Sequence, residues 1–181
     1  ALAEAALHPG GERFKPAAQN LKAVCCNRFV DDNFKVRASG LWQDRPLPAA
    51  PSLLDHALLI QALLDCHALA PEPTALPRLS GLMETVRAGF ADDGTGFYRV
   101  NPPSTLLPVD RPPYPFSDTA VPAANAVMAA NLRRLFDLTG NQTYDLRRQS
   151  LITSFLSHRN PTLTGHTFSA EIAIAQPNRS K

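Results

Sequence analysis

The sequence predicts an all-α fold made of successive αα-hairpins, and three observations predict it. Residues 117–158, SDTAVPAANAVMAANLRRLFDLTGNQTYDLRRQSLITSFLSH, read as a helix, a tight polar turn and a second helix. Residues 52–90, SLLDHALLIQALLDCHALAPEPTALPRLSGLMETVRAGF, repeat that plan. Within this earlier pair, the first helix is apolar nearly all round and the second carries one apolar stripe. That contrast implies an inner and an outer layer. Hairpins of this kind bury their apolar faces against neighbouring hairpins.

Residues 1–14 are small and polar, with Pro9-Gly10-Gly11, and are expected to be an N-terminal tail or arm. Pro16 suits the first turn of a helix. Leu21, Val24, Cys25, Arg28 and Phe29 give that helix a partly apolar face, and it is expected to end near Asp31–Asn33. A proline-rich connection leads to Ser52, where Ser-x-x-Asp is a capping-box pattern and the dipole favours Asp55. Leu53, Leu54, Leu58, Leu59, Ile60, Leu63, Leu64 and Leu69 surround this helix, and Pro71-Glu72-Pro73 stops it. Thr74 caps the next helix, whose stripe is Leu76, Leu79, Leu82, Met83, Val86 and Phe90. Asp92–Gly96 is a turn and Phe97–Val100 a short strand, followed by a proline-rich loop to Phe116. Asp118 or Thr119 is expected to cap the fourth helix, with Pro122 in its first turn and Gly140 at its stop. The fifth runs from Thr143 to Ser157, and a last one spans Phe168–Ala175.

The chain has 181 residues, enough for one sizeable core, and 44% are apolar. A net charge of +2 is too small to imply nucleic acid or a membrane surface. No apolar run is long and unbroken enough to span a membrane, since the helix Leu53–Leu69 carries Asp55, His56, Gln61, Asp65 and His67. Cys25, Cys26 and Cys66 form no C-x-x-C pair and no zinc-like spacing with histidine, so no metal and no cofactor are expected. They fit buried thiols in a reducing compartment. A start at Ala1 is consistent with a mature protein, in an organelle after loss of a targeting peptide, or with a piece of a longer chain.

LLDHALLIQALLD, then GFADDGTGFYRV, then SDTAVPAANAVMAANLRRLFDLTGNQTY resemble, in order, the C-terminal part of the spermatogenesis-associated protein 20 family. The resemblance covers residues 14 to 175. It implies an α/α toroid, related in shape to sugar epimerases and six-hairpin glycosidases, which in that family follows a thioredoxin-like domain. The domain expected here is a partial toroid over residues 15–176, with a C-terminal tail at 177–181. This sequence departs from the family in carrying no thioredoxin-like segment, no redox cysteine pair and none of the first hairpins. His56 stands where the family commonly has tyrosine, and Ala123-Ala124 where it has Ser-Gly before Asn125. The resemblance bears on fold more than on function.

If the second and fourth helices run parallel in one toroid, Asp55, His56, the loop 92–116, Asp118 and Asn125 face one rim. Two carboxylates beside a histidine suit acid–base chemistry on a sugar, which makes Asp55, His56 and Asp118 the catalytic candidates. Against that stands a structural role, because Asp55 and Asp118 each sit where a helix cap is needed. Trp42, the only tryptophan, and Asn125 are the binding candidates. A buried Asn125 needs partners, and a loop carbonyl would serve. His56 and His67 share a helical face but lie about 16 Å apart along the axis, too far to share a metal ion. Arg133, Arg134, Arg147 and Arg148 read as a solvated face or a contact with an acidic partner.

Two functions follow. One is a non-catalytic structural or interaction module, an accessory or scaffold subunit bound to other protein subunits. A full ring needs roughly twice as many helices as this sequence predicts, so an apolar face around Leu59, Leu63 and His67 would meet a partner. The alternative is a carbohydrate-binding or carbohydrate-modifying enzyme fragment.

Overall fold

The structure, a computed structural model, describes residues 2–37, 41–42, 45–46, 50–92, 96–99 and 121–158. The chain divides into two compact units, Ala1–Gly89 and Phe90–Lys181.

The first unit opens with α1 (Leu2–Leu7), in place of the expected tail. Ala3 and Ala6 are buried, and α1 packs against both α2 (Lys15–Phe29) and α3 (Leu53–Leu69). Alanine explains the difference. Its small side chain favours helix and lets backbones approach closely, a signal that hydrophobic periodicity does not register. A 3₁₀ turn, Glu12–Phe14, joins α1 to α2. One apolar cluster here is Ala3, Ala18 and Cys66, with Leu69 against them.

In α2 the buried side is Ala18 and Cys26, with Lys22, Cys25 and Phe29 half-buried. Leu21 and Val24, expected to face the core, are exposed. The helix has small residues on its packed side because α1 and α3 lie close there. Its larger aliphatics are left to solvent. It ends at Phe29, before the expected Asp31–Asn33, and Val30 is extended and bridges Val36. Asp31 Oδ1 accepts from the Asn33 and Lys35 backbone N–H groups at 2.9 and 2.9 Å, closing a tight turn. Phe34 takes φ 58° in that turn. Its ring covers Gly81, where a Cβ would collide with it. A two-residue antiparallel ladder pairs Leu41–Trp42 with Arg45–Pro46.

The sequence-predicted capping box forms at Ser52, and α3 follows it. Leu53, Ala57, Ile60, Leu63 and Leu64 are buried, while Leu58 is exposed and Leu54 and Leu59 are half-buried. The helix α4 (Ala75–Phe90) begins directly after Thr74, as expected. Leu79, Leu82, Met83, Val86 and Phe90 are buried along one side. Each full burial of this kind is worth about 1.5–3 kcal/mol relative to exposure.

The second unit begins with a small turn structure. Ala91 bridges Tyr98, Arg99 N–H donates to the Phe90 carbonyl at 2.7 Å, and Gly96 N–H donates to the Asp92 carbonyl at 2.9 Å. The expected strand is therefore a single bridge. Gly96 has φ 73°, and a Cβ there would strike Ser154 Oγ on α6 (Gln142–His158). Both reasons require glycine.

The helix α5 (Ala124–Thr139) starts at N-cap Ala123, with no side-chain cap. This corrects the expected start at Asp118 or Thr119. Pro122 disfavours helix at Val121 before it, and Ala123, at φ −59° and ψ 133°, is not yet helical. The first half of α5 is buried on nearly every side, from Ala124 to Ala129. Gly140 closes it with φ 68°, its N–H donating to the Phe136 carbonyl at 2.8 Å. Asn141 Oδ1 then accepts from Thr143 N–H at 3.0 Å. α6 packs on α5, and its Leu151, Ile152 and Phe155 are buried. The residues expected as a last helix, Phe168–Ala175, lie outside the described residues. No helix among the described residues is long and apolar enough to cross a membrane.

Candidate functional site

Asp55 is committed to the helix start. Its Oδ2 accepts from the Ser52 backbone N–H at 2.7 Å and from Ser52 Oγ at 2.8 Å. Ser52 Oγ in turn accepts from Asp55 N–H at 3.3 Å. This reciprocal pair satisfies donors that the helix leaves open. The carboxylate is exposed and acts as a cap.

His56 is buried one residue further on, and its Nδ1 donates to the Ser52 carbonyl at 2.8 Å. Burial pushes its pKa below the usual imidazole value, against the opposing pull of the Ser52 carbonyl and Asp55. Asp55 and His56 thus converge on the same residue, Ser52, from opposite sides of its backbone. A neutral imidazole fixed in this way anchors the turn.

Asn125 is fully buried in the second unit and holds Tyr98 at both backbone groups. Its Oδ1 accepts from Tyr98 N–H at 2.9 Å, and its Nδ2 donates to the Tyr98 carbonyl at 2.9 Å. The expected bond to a loop carbonyl is present, together with a second bond that the sequence does not signal. Asp118 lies outside the described residues, as does the Trp42 side chain. Of the residues considered for an apolar interface, Leu63 is buried within the chain itself, and Leu59 and His67 are half-buried.

Two arginines expected on a solvated face are not there. Arg148 is buried and meets Asp145 Oδ1 through Nε and Nη2, at 3.1 and 2.8 Å. Gln149 Nε2 donates to the other oxygen, Asp145 Oδ2, at 2.7 Å. Arg147 Nη2 donates to the Phe97 carbonyl at 2.9 Å, and its guanidinium lies 4.5 Å from the centre of the Tyr98 ring. Arg133 does remain near the surface, paired with Asp137 at 2.8 Å. Tyr98 is thus held from α5 by Asn125 and from α6 by Arg147. No local pattern marks Arg147, because its partners lie about fifty residues earlier.

The three cysteines are free thiols. Burial pushes the Cys25 thiol up, helped by neighbouring Cys26. Burial also raises Cys66, although Lys22 opposes it. Thiols shifted in this direction are poor nucleophiles at neutral pH. Among the described residues, no group of three or more His, Cys, Asp or Glu side chains is placed to hold a metal ion. A small cavity in the first unit is lined by Lys22, Leu63, His67, Glu72, Thr74, Ala75 and Arg78. Its free space is about 10 Å³ for the centre of a water-sized sphere, far below the volume of a sugar-binding cleft.

No protein-family model matches the chain, and no curated protein matches it. Its fold is similar to that of a solved D-mannose isomerase, with a TM-score of 0.64 and 19% sequence identity. The likeness covers 85% of this chain and 38% of the isomerase, so the chain spans well under half of that protein's length.

Proposed function

We propose that on this all-α fold, which is similar to that of a solved D-mannose isomerase, the chain acts as a non-catalytic structural or interaction module, an accessory or scaffold subunit that binds other protein subunits. One observation supports this above the rest. Asp55, His56 and Asn125, the candidate site residues whose side chains the structure describes, are each held by the fold. Asp55 caps α3, His56 anchors the Ser52 carbonyl, and Asn125 clamps Tyr98. Asp55 through Oδ2 and His56 through Nδ1 bond the backbone of Ser52, as a helix cap and an anchor do. The resemblance to the toroid part of the spermatogenesis-associated protein 20 family is compatible with such a role, since the sequence has no C-x-x-C pair.

The likeness to D-mannose isomerase favours a second reading, a carbohydrate-binding or carbohydrate-modifying fragment. One experiment separates the two. The purified chain is incubated with D-mannose, and aldose–ketose conversion and amide chemical shifts are followed by NMR. The module reading expects neither conversion nor saturable shifts. Conversion that disappears in Asp55→Asn or His56→Gln, in a variant that remains folded, would establish the enzyme instead.

A further inference from the structure

The exposed side of α6 carries no charge among the described side chains. Its ionic residues turn away from that side, with Asp145 and Arg148 buried and Arg147 half-buried. Facing outward are Leu146, Gln149, Thr153 and Leu156, spaced 3, 4 and 3 residues apart, as in one stripe along a helix. The two leucines are 65% and 50% exposed. They lie about 15 Å apart along the helix axis. Gln149 is held between them by its bond to Asp145 Oδ2 at 2.7 Å.

We infer that this stripe is a self-association surface, on which α6 of a second copy of the chain packs antiparallel. The stripe is its own complement. Leu146 and Leu156 stand five residues either side of position 151, and Gln149 and Thr153 two residues either side of it. Turning a second copy end for end about that midpoint sets Leu146 against Leu156 and Gln149 against Thr153, each pair twice, as a two-fold axis requires. Leucine contacts then close both ends of the seam. Between them an amide meets a hydroxyl, and each group can donate and accept. A charged surface would lose its water here without gaining an ion pair, whereas a neutral copy loses nothing of that kind. Size sets the strength. Four side chains per copy cover well under the about 800 Å² per partner of a standard interface. The dimer is therefore weak, with a Kd of roughly 10 μM to 1 mM. The inference does not rest on the proposed function.

The test is sedimentation equilibrium of the full chain between about 5 μM and about 2 mM, where the mean mass should rise from one copy toward two. Leu146→Lys and Leu156→Glu change exposed positions, so each should keep the helical circular dichroism and the melting temperature of the parent. Each should weaken the dimer by about tenfold or more, because a charge is pressed against leucine. Mixing the two variants gives the decisive measurement. In an antiparallel seam the lysine of one meets the glutamate of the other, and the two remaining leucines still meet. An equimolar mixture should therefore regain most of the association. Leu21→Lys, at an exposed leucine of α2, should leave it unchanged. A parent that stays monomeric at about 2 mM, variants that associate as the parent does, or a mixture without recovery would each overturn the inference. So would loss of the dimer in Leu21→Lys, which would put the contact on another face.

Discussion

The side-chain amide of Asn125 pairs with both backbone groups of Tyr98, accepting from its N–H and donating to its carbonyl at 2.9 Å each. An asparagine here imitates a strand edge. It supplies one acceptor and one donor to the backbone of Tyr98, which stands in the isolated Ala91–Tyr98 bridge. Both residues are buried, so neither bond can be replaced by bulk water. Asn125→Ala should therefore destabilise the chain by about 2–4 kcal/mol, from leaving two buried backbone groups unmet. Asn125→Asp is the sharper variant. It keeps the acceptor for Tyr98 N–H but turns an oxygen toward the Tyr98 carbonyl, so it should be no better than alanine at neutral pH. Urea unfolding measures both. A loss below about 0.5 kcal/mol for either would show that the clamp contributes little.

The capping role of Asp55 makes a separate prediction. Ser52→Ala should cost about 1 kcal/mol, as loss of an N-cap does elsewhere. Asp55→Asn keeps one acceptor oxygen and loses the charge that favours the helix start, so its cost should be smaller than that of Asp55→Ala. The order alanine below asparagine below parent, in chemical denaturation, checks the cap. Equal stability of all three proteins would leave Asp55 without a structural role and return it to the catalytic candidates.

Legibility of the fold tracks the range of the interaction. The box at Ser52 and Asp55 and the stripe from Leu79 to Phe90 are local patterns, and both appear as the sequence predicts. The packed side of α2 is not legible, because it is chosen by what approaches it. Ala18 and Cys26 are small enough for close helix contact, whereas Leu21 and Val24 carry more apolar surface and face outward. The start of α5 falls later than a capping residue at 118 or 119 suggests, because Pro122 disfavours helix at Val121 and Ala123 is still non-helical. At the candidate site, Asn125 is legible as a buried polar residue. The roles of Tyr98 and Arg147 are not, since their pairings span 27 and 50 positions.

Arg147 and Arg133 offer a contrast between two cations of the same helical hairpin. Arg133 pairs with Asp137 near the surface, where such pairs are worth little after solvent screening. Arg147 donates to a backbone carbonyl and lies over the Tyr98 ring, which also gains from its aliphatic stem. Arg133→Ala should change stability by less than about 0.5 kcal/mol. Arg147→Ala should cost about 1–2 kcal/mol. Raising the salt concentration should shrink the effect of the first substitution more than that of the second, because a partly buried contact is screened less. Thermal unfolding of the two variants at low and high salt measures the contrast, and equal losses would refute it.

Stability should also fall on mild acidification, through His56. Burial holds its folded pKa below the ordinary imidazole value, despite the Ser52 carbonyl and Asp55. The unfolded chain, with an imidazole near about 6.5, therefore takes up the proton first. Below that pH the unfolded state binds more protons than the folded state, so the free energy of unfolding drops as pH falls. The loss begins near the unfolded value and ends at the lower folded one. Its slope cannot exceed about 1.4 kcal/mol per pH unit for this single group. Other groups act in different windows. Glu72, held low by its bond to Lys22, loses its contribution only in the carboxylate range, and the raised thiols of Cys25 and Cys66 matter on the alkaline side. Comparing the parent with His56→Gln isolates the effect. The glutamine side chain is neutral throughout, and its amide can still donate toward the Ser52 carbonyl. The parent should lose melting temperature between about pH 7.5 and 5.5 faster than the variant, and the two curves should run parallel at higher pH. Curves that stay parallel down to about pH 5.5 would show that His56 does not titrate with a depressed pKa. With that result, the argument that a neutral imidazole anchors the start of α3 would fail.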